Sequence, residues 1–398
     1  MIKAYRLYNL LMSGALTAEE LDTLLERRDY LGAMYALRGH EFRMHDLANS
    51  PLAIDVLCRS DRAVRALAEN AAYLDYLFCA DAAYEGMLFS DLALREEAVR
   101  TRVTEYMAGL PWKAKAHSVA AASFQDICHS PELGIYVGVG NGIVGASEDR
   151  VNWEVFTISG SYTGVCWSSQ KNQFLAVGNS GVLAKSYDGR EWTTTNVSMY
   201  SFNKLYWVPR HALYVSVAGS YIHTSGDGED WTQRATYNTN FLVDDGTQYI
   251  GGGTASTNYQ IYVSGDCRSW SQSNVTLPKS GRMYGGIWLK ERNRLVLVGD
   301  LVLLRDGATW KAVELPNGVS LREVVYSPRL NMLAATGPNV ACTSMDFGDT
   351  WSISPSPSRT SPVYEAACLE WDDTRRVFIG TDKNSAECLT SHEWRRAA

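Results

Sequence analysis

The sequence has 398 residues, of which 46% are hydrophobic and 20% are charged, and its formal net charge is −7. A chain of this size and apolar content can form two folded domains. The negative charge argues against nucleic-acid binding, and no stretch approaches about eighteen uninterrupted apolar residues, so we expect no membrane-spanning helix. The eight cysteines include no C-x-x-C pair, which favours buried thiols over disulfides or metal ligands, and we expect no cofactor and no metal.

The first part of the chain has the spacing of short amphipathic helices. Apolar and aromatic side chains in residues 5–12 recur at helical intervals, and the pair Ser13-Gly14 predicts the end of that helix. The same stretch is too short and too polar for a secretory signal. Thr17 and Glu20 have the spacing of a capping box, which predicts the start of a second helix.

A ten-residue rhythm follows, from residue 50 to residue 89. Its four units read SPLAIDVLCR, SDRAVRALAE, NAAYLDYLFC and ADAAYEGMLF. Three of their first residues, Ser50, Ser60 and Asn70, are good N-caps, and the apolar positions within each unit suit a two-turn helix. The rhythm therefore predicts a stack of short helices, and one long helix with a drifting apolar stripe is the alternative.

A last helix is expected over residues 91–107, and Pro111 ends the helical pattern, so we place a helical domain at residues 1–115. The ten-residue units resemble segments near the N-termini of tailed-phage tail and fibre proteins, where such segments attach a distal module to the particle. The resemblance implies an attachment or oligomerisation domain. Its partners would be other virion proteins or further copies of the chain.

Residues 116–398 repeat a short polar phrase that ends in tryptophan. The seven copies are separated by 39, 39, 39, 40, 41 and 43 residues, counted between the tryptophans. In the second copy the apolar runs GVCW, FLAVG and VLAKS precede the phrase, and EWTTT ends it. Four short strands in about forty residues form one blade of a β-propeller. The sequence therefore predicts an all-β seven-bladed β-propeller preceded by a small all-α domain.

The repeated phrase, Ser-x-Asp-Gly-x-x-Trp in its regular form, has side chains that stabilise a tight turn. Ser and Asp can bond backbone amides, Gly can adopt a positive φ, and Trp can pack on neighbouring apolar surface. We therefore expect structural roles for Asp149, Trp153, Asp188, Trp192, Asp227, Trp231, Asp266, Trp270, Asp306, Trp310, Asp346, Trp351 and Trp394.

The copy SMDFGDTW, residues 344–351, matches the Asp-box (BNR-type) repeat S-x-D-x-G-x-T-W, and the other copies resemble shortened boxes. The resemblance implies a propeller whose boxes lie on the rim, away from any active site. Its family includes sialidases, glycan-binding proteins, assembly factors and phage tail proteins. Arg150 and Cys267 replace Gly in two copies, Leu304 replaces Ser in another, and Thr390 replaces Asp in the last, so we expect weaker turns there.

The last repeat contains four runs of its own, AACLEW, RRVFIG, AECLT and WRRAA. Because no strand is left over, we expect the first and last blades to meet through side chains. Pairing by part of residues 113–121 is the alternative.

The connections between successive repeats are aromatic, and three of them carry an arginine. Propellers bind ligands and partners with loops at one face of the ring, where aromatic rings can stack on sugars or anchor a protein, although such rings can equally pack between blades. Three converging guanidinium groups can clamp the carboxylate of an acidic glycan. The candidate ligand or partner residues are Tyr162, Tyr200, Arg282, Tyr284, Arg322, Arg359 and Tyr364.

No catalytic residue stands out in the sequence. Sialidases with these boxes typically have six blades, an arginine triad and an Arg-Ile-Pro type motif. This sequence has seven repeats and lacks the Arg-Ile-Pro type motif. A glycoside hydrolase needs two carboxyl groups at a defined separation, and a sequence does not show how far apart two carboxyl groups lie in the fold. The sequence selects no pair among Asp126, Asp244, Asp245, Glu323 and Glu365.

We therefore expect a non-enzymatic bacteriophage virion structural protein, either associated with the tail, baseplate or fibre or decorating the head. The propeller would be a protein- or receptor-interaction module, with a host surface glycan or receptor as its ligand, and the protein would assemble in the host cytoplasm. A glycan-binding or glycan-cleaving sialidase-like propeller is the first alternative. The second is an assembly factor resembling the photosystem II stability factors.

Overall fold

A computed structural model of the chain describes residues 2–37, 41–69, 74, 77, 81–109, 112–116, 123–150, 152–197, 201–218, 220–254, 259–273, 281–316, 318–355, 366–373, 376–382 and 387–391. The N-terminal part is helical, which confirms the predicted small helical region. Its helices in the described residues are α1 (Ile2–Ser13), α2 (Ala18–Leu25), α3 (Arg28–Leu37), α4 (Glu41–Ala48), α5 (Pro51–Arg59), α6 (Asp61–Ala68), α7 (Asp81–Leu88), α8 (Asp91–Arg95) and α9 (Glu97–Gly109).

Side-chain caps explain where several helices begin. The Thr17 hydroxyl accepts a hydrogen bond from the Glu20 amide, and the Glu20 carboxylate accepts one from the Thr17 amide at 2.8 Å, so the predicted capping box is confirmed. Ser50 and Ser60 cap α5 and α6 by accepting from amides three residues ahead. The ten-residue rhythm therefore produces short helices and not one long helix, while Asn70 lies outside the described residues.

The predicted single helix over residues 91–107 is wrong. Helix α8 ends at Arg95 and α9 begins at Glu97, because Glu96 between them has an extended backbone with φ −77° and ψ 117°. Ser90 caps α8 through the Ala93 amide at 3.0 Å, as Ser60 caps α6. The ten-residue repeat of helix caps therefore continues for one more unit, which begins at Ser90, beyond the four units seen in the sequence.

Most of the remaining described chain forms antiparallel sheets, five with four strands and one with six. The six-stranded sheet contains β2 (Phe124–Ser130), β3 (Ile135–Ser147), β4 (Glu154–Ser168), β5 (Gln173–Gly178), β6 (Val182–Ser186) and β7 (Thr193–Asn196). The four-stranded sheets contain β8 (Lys204–Val208), β9 (Leu213–Ala218), β10 (Tyr221–Ser225) and β11 (Trp231–Ala235); β12 (Phe241–Asp244), β13 (Tyr249–Thr254), β14 (Tyr259–Ser264) and β15 (Ser271–Gln272); β16 (Met283–Leu289), β17 (Arg294–Gly299), β18 (Val302–Asp306) and β19 (Thr309–Val313); β20 (Glu323–Ser327), β21 (Met332–Gly337), β22 (Val340–Ser344) and β23 (Ser352–Pro355); and β24 (Ala366–Asp372), β25 (Val377–Asp382), β26 (Glu387–Thr390) and β1 (Lys113–Ala116).

The predicted blade count of seven is wrong. The structure has five four-stranded blades, and residues 124–196 form one six-stranded sheet in place of two separate blades. The cause is β4, which runs unbroken through 15 residues and pairs with β3 along its first half and with β5 along its second. Its middle, TISGSYTG, contains no proline and several β-branched or aromatic residues, so the chain continues as a strand where a connection was predicted.

Glycine recurs at the end of the second strand of several blades for a steric reason. A Cβ atom at Gly178 would lie 1.9 Å from the Ser161 carbonyl oxygen, and one at Gly299 would lie 1.7 Å from the Arg282 carbonyl oxygen. Each of these carbonyl groups lies within or just before the first strand of the same blade. Only glycine permits this close backbone approach, which accounts for the glycine-rich second runs of the repeats.

The ring is closed by a strand that precedes the repeats. β1 pairs with β26 from Lys113 opposite Thr390 to Ala116 opposite Glu387. The expectation of closure through side chains alone is therefore wrong, and the alternative pairing within residues 113–121 is confirmed. The predicted domain boundary between residues 115 and 116 falls inside β1.

Two side chains reinforce this closure. Arg150, in the turn before β4, has a fully buried side chain whose Nη1 donates to the Ile379 carbonyl oxygen at 3.0 Å and whose Nη2 forms an ion pair with Glu370. Trp112 is 4% exposed, and its ring centroid lies 6.4 Å from that of Phe378. We call β1, β26, Trp112 and Arg150 with its partners the closure seam.

The six cysteines whose side chains the structure describes are free thiols, which agrees with the expectation of thiols at those positions: Cys58, Cys128, Cys166, Cys267, Cys342 and Cys368. None of the helices in the described ranges is long and apolar enough to span a membrane.

Candidate binding site in the propeller channel

The repeated polar phrases form turns of one geometry. In the second copy the Ser186 hydroxyl accepts from the Gly189 amide at 2.8 Å, and Asp188 Oδ1 accepts from the amides of Arg190 and Glu191 at 2.9 and 2.8 Å. Trp192 Nε1 donates to the Gly189 carbonyl oxygen at 3.0 Å, and Gly189 has φ +75°. The copies that contain Asp149, Asp227, Asp266 and Asp346 have the same type of Asp and Trp hydrogen bonds.

The copies that depart from the regular phrase behave differently from one another. Arg150 and Cys267 adopt φ +59° and +58° in place of glycine, and both turns keep their Asp and Trp hydrogen bonds. In the fifth copy Leu304 is buried where Ser would stand, and Asp306 instead binds both Nε and Nη2 of Arg294 at 2.7 Å. Trp310 lies in β19, and Trp394 lies outside the described residues.

The first strands of six successive repeats line one cavity of 250 Å³, the central channel of the propeller. Its wall includes Asp126 of β2, Val165 of β4, Lys204 of β8, Gly285 of β16 and Glu323 of β20. The channel is therefore the place where residues of six first strands, β2, β4, β8, β12, β16 and β20, come together.

Two channel carboxylates hold neighbouring inner strands together. Asp126 Oδ2 accepts a hydrogen bond from the Val165 amide at 2.9 Å, and Glu323 Oε2 accepts one from the Leu369 amide at 3.1 Å. Each bond joins the first strand of one repeat to the first strand of the next. Both acidic groups thus contribute to the assembly of the ring.

An ion pair connects two strands that are not neighbours. Lys204 Nζ of β8 donates to Glu323 Oε1 of β20 at 2.7 Å, so the pair lies across the channel. Burial opposes the charged ammonium, but the negative charge of Glu323, aided by Tyr206 and Asp126, holds the pKa of Lys204 well above its usual range. Lys204 is therefore a fixed cation, and not a neutral amine available as a nucleophile or base.

Two of the three predicted arginines come together at one tyrosine. Arg322 Cζ lies 3.5 Å from the centroid of the Tyr284 ring, in a stacked cation–π contact. A hydrogen bond with Tyr284, together with the charge of Asp300, raises the pKa of Arg282. Arg282 is largely exposed, whereas Arg322 forms part of the channel wall.

The other predicted ligand residues are not brought to this cluster in the described structure. Tyr162 lies inside β4, is fully buried and donates its hydroxyl hydrogen to the Ser159 carbonyl oxygen at 2.9 Å, so its ring packs within the sheet. Tyr200, Arg359 and Tyr364 lie outside the described residues.

The remaining carboxylates considered from the sequence serve turns. Asp244 binds Arg210 and the Gly246 amide at 2.9 and 2.8 Å. Burial disfavours the charged form of Asp245, but hydrogen bonds from Thr247, Arg305 and the Gln248 amide lower the pKa of Asp245 to about 2. Glu365 lies outside the described residues.

Sequence reasoning missed Lys204 and Tyr206 as channel residues. The signal available was a lysine inside the otherwise apolar and aromatic run KLYWV, which forms a first strand. Within the ranges given above, no group of three or more His, Cys, Asp or Glu side chains could hold a metal ion.

Comparison with known proteins supports the fold and nothing finer. No protein-family model matches the sequence, and no curated protein does. The chain is similar to a solved structure described as the crystal structure of the WD40 β-propeller domain of Doa1, with a TM-score of 0.55 and 11% sequence identity. The match covers 73% of this chain and 100% of that domain. The C-terminal part of this protein is thus a β-propeller.

Proposed function

We propose that the protein is a non-enzymatic structural and interaction protein in which a helical domain and a propeller act as one unit. The observation that supports this most directly is a shared hydrophobic core. Buried side chains of the helices form one cluster with Leu330, Met332, Leu369 and Phe378 of the propeller. A propeller carried in this way presents its channel face at a constant position relative to the helices.

Polar contacts at the same joint support a fixed arrangement. Asp91 of α8 forms ion pairs with Arg329 and with Arg376, the latter at 2.7 Å. Arg329 Nε and Nη2 also bind Asp373 at 2.6 and 2.9 Å. The Thr104 hydroxyl donates to the buried Leu330 carbonyl oxygen at 3.0 Å. These contacts orient the two parts in addition to the apolar burial that holds them together.

The chemistry of the described carboxylates supports a role without catalysis. Asp126 and Glu323 accept hydrogen bonds from backbone amides of neighbouring strands, and Glu323 also binds a charged lysine. Asp244 and Asp245 bind arginines and turn amides. A general acid needs a raised pKa, whereas in Asp245 hydrogen bonds from Thr247, Arg305 and the Gln248 amide outweigh burial and lower the pKa to about 2.

We further propose that the propeller is of the Asp-box type and that the protein belongs to a bacteriophage virion, as a component of the tail, baseplate or fibre or as a head decoration. The five turns with a common Ser, Asp and Trp geometry support the first part. The ten-residue helical units support the second, with the helical domain contacting other virion proteins. Assembly would take place in the host cytoplasm.

Two experiments test this proposal. Negative-stain electron microscopy of the purified protein, with its mass in solution, should show discs that each carry a helical lobe at one position, either singly or joined at a symmetric hub. Immunogold labelling with an antibody against the protein should decorate purified phage particles. A protein that is abundant in the lysate but absent from purified particles would contradict the virion role.

A second function, binding of an acidic glycan, is favoured by the cluster of Arg282, Tyr284 and Arg322. Two guanidinium groups at one aromatic ring suit a sugar acid, because the ring can stack and the guanidinium groups can bind a carboxylate. A glycan array should then give acidic hits that alanine at Arg282, Arg322 and Arg359 together abolishes. Unchanged binding by the triple variant would exclude this clamp, and release of free sugar from the hits would indicate cleavage instead.

A further inference from the structure

The channel wall contains a guanidinium group with two nitrogen atoms that lack a hydrogen-bond partner in the described part of the chain. Nε and Nη1 of Arg322 are buried atoms, and no hydrogen-bond partner for either lies within the described part of the chain. Buried polar groups in folded proteins are nearly always hydrogen-bonded, and an unpaired buried charge is costly. Stacking on Tyr284 satisfies the face of the guanidinium but not its N–H groups.

The neighbouring acidic side chains do not bind these two nitrogen atoms of Arg322. Glu323 follows Arg322 in the sequence, but its two oxygens bind Lys204 and the Leu369 amide. Asp126, the other acidic residue of the wall, accepts from the Val165 amide. An ammonium group also has three N–H donors, and Lys204 uses one of them in its bond with Glu323. The cavity wall therefore has donors beyond those that its carboxylates occupy.

We propose that the channel binds a compact oxyanion, a carboxylate or a phosphate, through the guanidinium of Arg322. Arginine is suited to this ligand because its planar fork matches the geometry of both groups. The cavity of 250 Å³ has room for a group of this size, and Arg322, whose guanidinium stacks on the Tyr284 ring, lies in its wall. This site does not depend on whether the protein belongs to a virion, and it lies deeper than the exposed Arg282 of the glycan hypothesis.

The test measures ligand binding by the full chain with three probes, inorganic phosphate, acetate and glucuronate, at constant ionic strength with chloride as the reference. Titration calorimetry and the thermal midpoint should both respond to at least one probe at concentrations up to about 10 mM. Phosphate alone would indicate a phosphorylated ligand. Acetate and glucuronate with equal affinity would indicate any carboxylate, including one on a protein, and tighter binding of glucuronate would indicate a sugar acid.

The decisive variant is Arg322→Gln, which should bind the responding probe at least about tenfold more weakly. Its thermal midpoint without the anion should equal or exceed that of the unaltered protein, because the substitution removes two buried N–H groups that have no partner in the described residues. Arg322→Lys, which keeps the charge and loses the planar fork, should show intermediate binding and is available if Arg322→Gln does not fold. Arg292→Gln is the matched control, since Arg292 also stacks on an aromatic ring, with Cζ at 4.1 Å from the Phe347 centroid, but does not line the cavity.

Three results would overturn the proposal. The unaltered protein would respond to none of the probes, Arg322→Gln would bind as well as the unaltered protein, or Arg292→Gln would lose binding to the same extent. Failure of the unaltered protein to bind any acidic glycan, with phosphate or carboxylate binding retained, would reject the glycan hypothesis and leave the channel site in place.

Discussion

The repeated turns and the closure seam use similar residues for different structural roles: the turns are stabilised locally, and the seam joins the two ends of the propeller. In a regular turn such as that of Asp188 and Gly189, the hydrogen bonds of the Ser186, Asp188 and Trp192 side chains join residues within one short phrase. In the turn of Arg150 the same local bonds are present, but the residue at the positive-φ position also reaches the last sheet. The comparison teaches that a departure from the repeat need not weaken a turn, because the substituted side chain can make contacts that glycine cannot.

The largest effect should come from Trp112, which belongs to the seam. Replacing Trp112 by Ala removes a ring that is 4% exposed and packs on Phe378, so we expect a loss of about 4 kcal/mol in the free energy of unfolding. Trp192→Ala, in a regular turn, removes a partly buried ring and should cost about 2 kcal/mol. Urea unfolding followed by tryptophan fluorescence and circular dichroism measures both. Equal losses would remove the distinction between the seam and the turns.

Arg150→Gly restores the regular phrase and should nevertheless destabilise the protein, by about 3 kcal/mol. The substitution relieves a positive φ but removes a buried guanidinium that binds Ile379 and Glu370. Cys267→Gly, at the same place in another turn, should change the free energy of unfolding by less than about 1 kcal/mol, because relief of the positive φ offsets the lost burial of a thiol. A stabilised Arg150→Gly variant would show that the seam contacts contribute little.

A smaller difference in the free energy of unfolding should separate variants of the regular turns from variants of the fifth copy. Asp188→Ala leaves the amides of Arg190 and Glu191 without their acceptor and should cost about 2 kcal/mol. Asp306→Ala breaks an ion pair in which the carboxylate is 52% exposed, and Arg294 keeps Asp349 as a partner, so the cost should be about 0.5 kcal/mol. Chemical unfolding of the two variants side by side tests the difference. A larger loss of stability in Asp306→Ala than in Asp188→Ala would mean that Asp306 stabilises the fifth copy more than Asp188 stabilises a regular turn.

Acid should loosen the regular turns by a modest amount. Burial favours neutral Asp188, but the amides of Glu191 and Arg190 and the Ser186 hydroxyl lower the pKa of Asp188 below its usual value. A lowered folded-state pKa means that the unfolded chain binds the proton more tightly, so this contribution is complete above about pH 4 and is lost as the pH falls through the folded value. Asp188→Asn should therefore show a shallower decline in stability below about pH 4. An unchanged decline would assign the acid sensitivity to other groups.

Local features of the fold were predictable because neighbouring residues determine them. The capping box of Thr17 and Glu20 and the cap at Ser60 follow from spacing alone, and so do the strands of each regular repeat. The blade count was not predictable, because it depended on whether the residues around Tyr162 would form a connection or continue β4. Both outcomes suit the composition of that stretch, and only the pairing of its two halves with β3 and β5 decides between them.

The candidate site was predictable only in part. Arg282 and Arg322 could be grouped because they immediately precede the successive first strands β16 and β20, and Tyr284 lies at the start of β16. Lys204 could not be assigned to them, since its partner Glu323 lies three blades away, and the sequence does not encode which strands face each other across a ring. The long reach of Arg150 to Ile379 was hidden for the same reason.

The pairing of β1 with β26 has a consequence for how the protein is made. The last sheet cannot be completed until residues 387–390 have left the ribosome, although its partner strand is synthesised before all the repeats. During that interval the edge of β1 and the apolar surface of the helices that later covers Leu330 and Phe378 have no native neighbour. Such long-range pairing slows folding and leaves strand edges open to aggregation. Expression at low temperature or with chaperones should therefore raise the soluble yield more for this protein than for its helical domain alone.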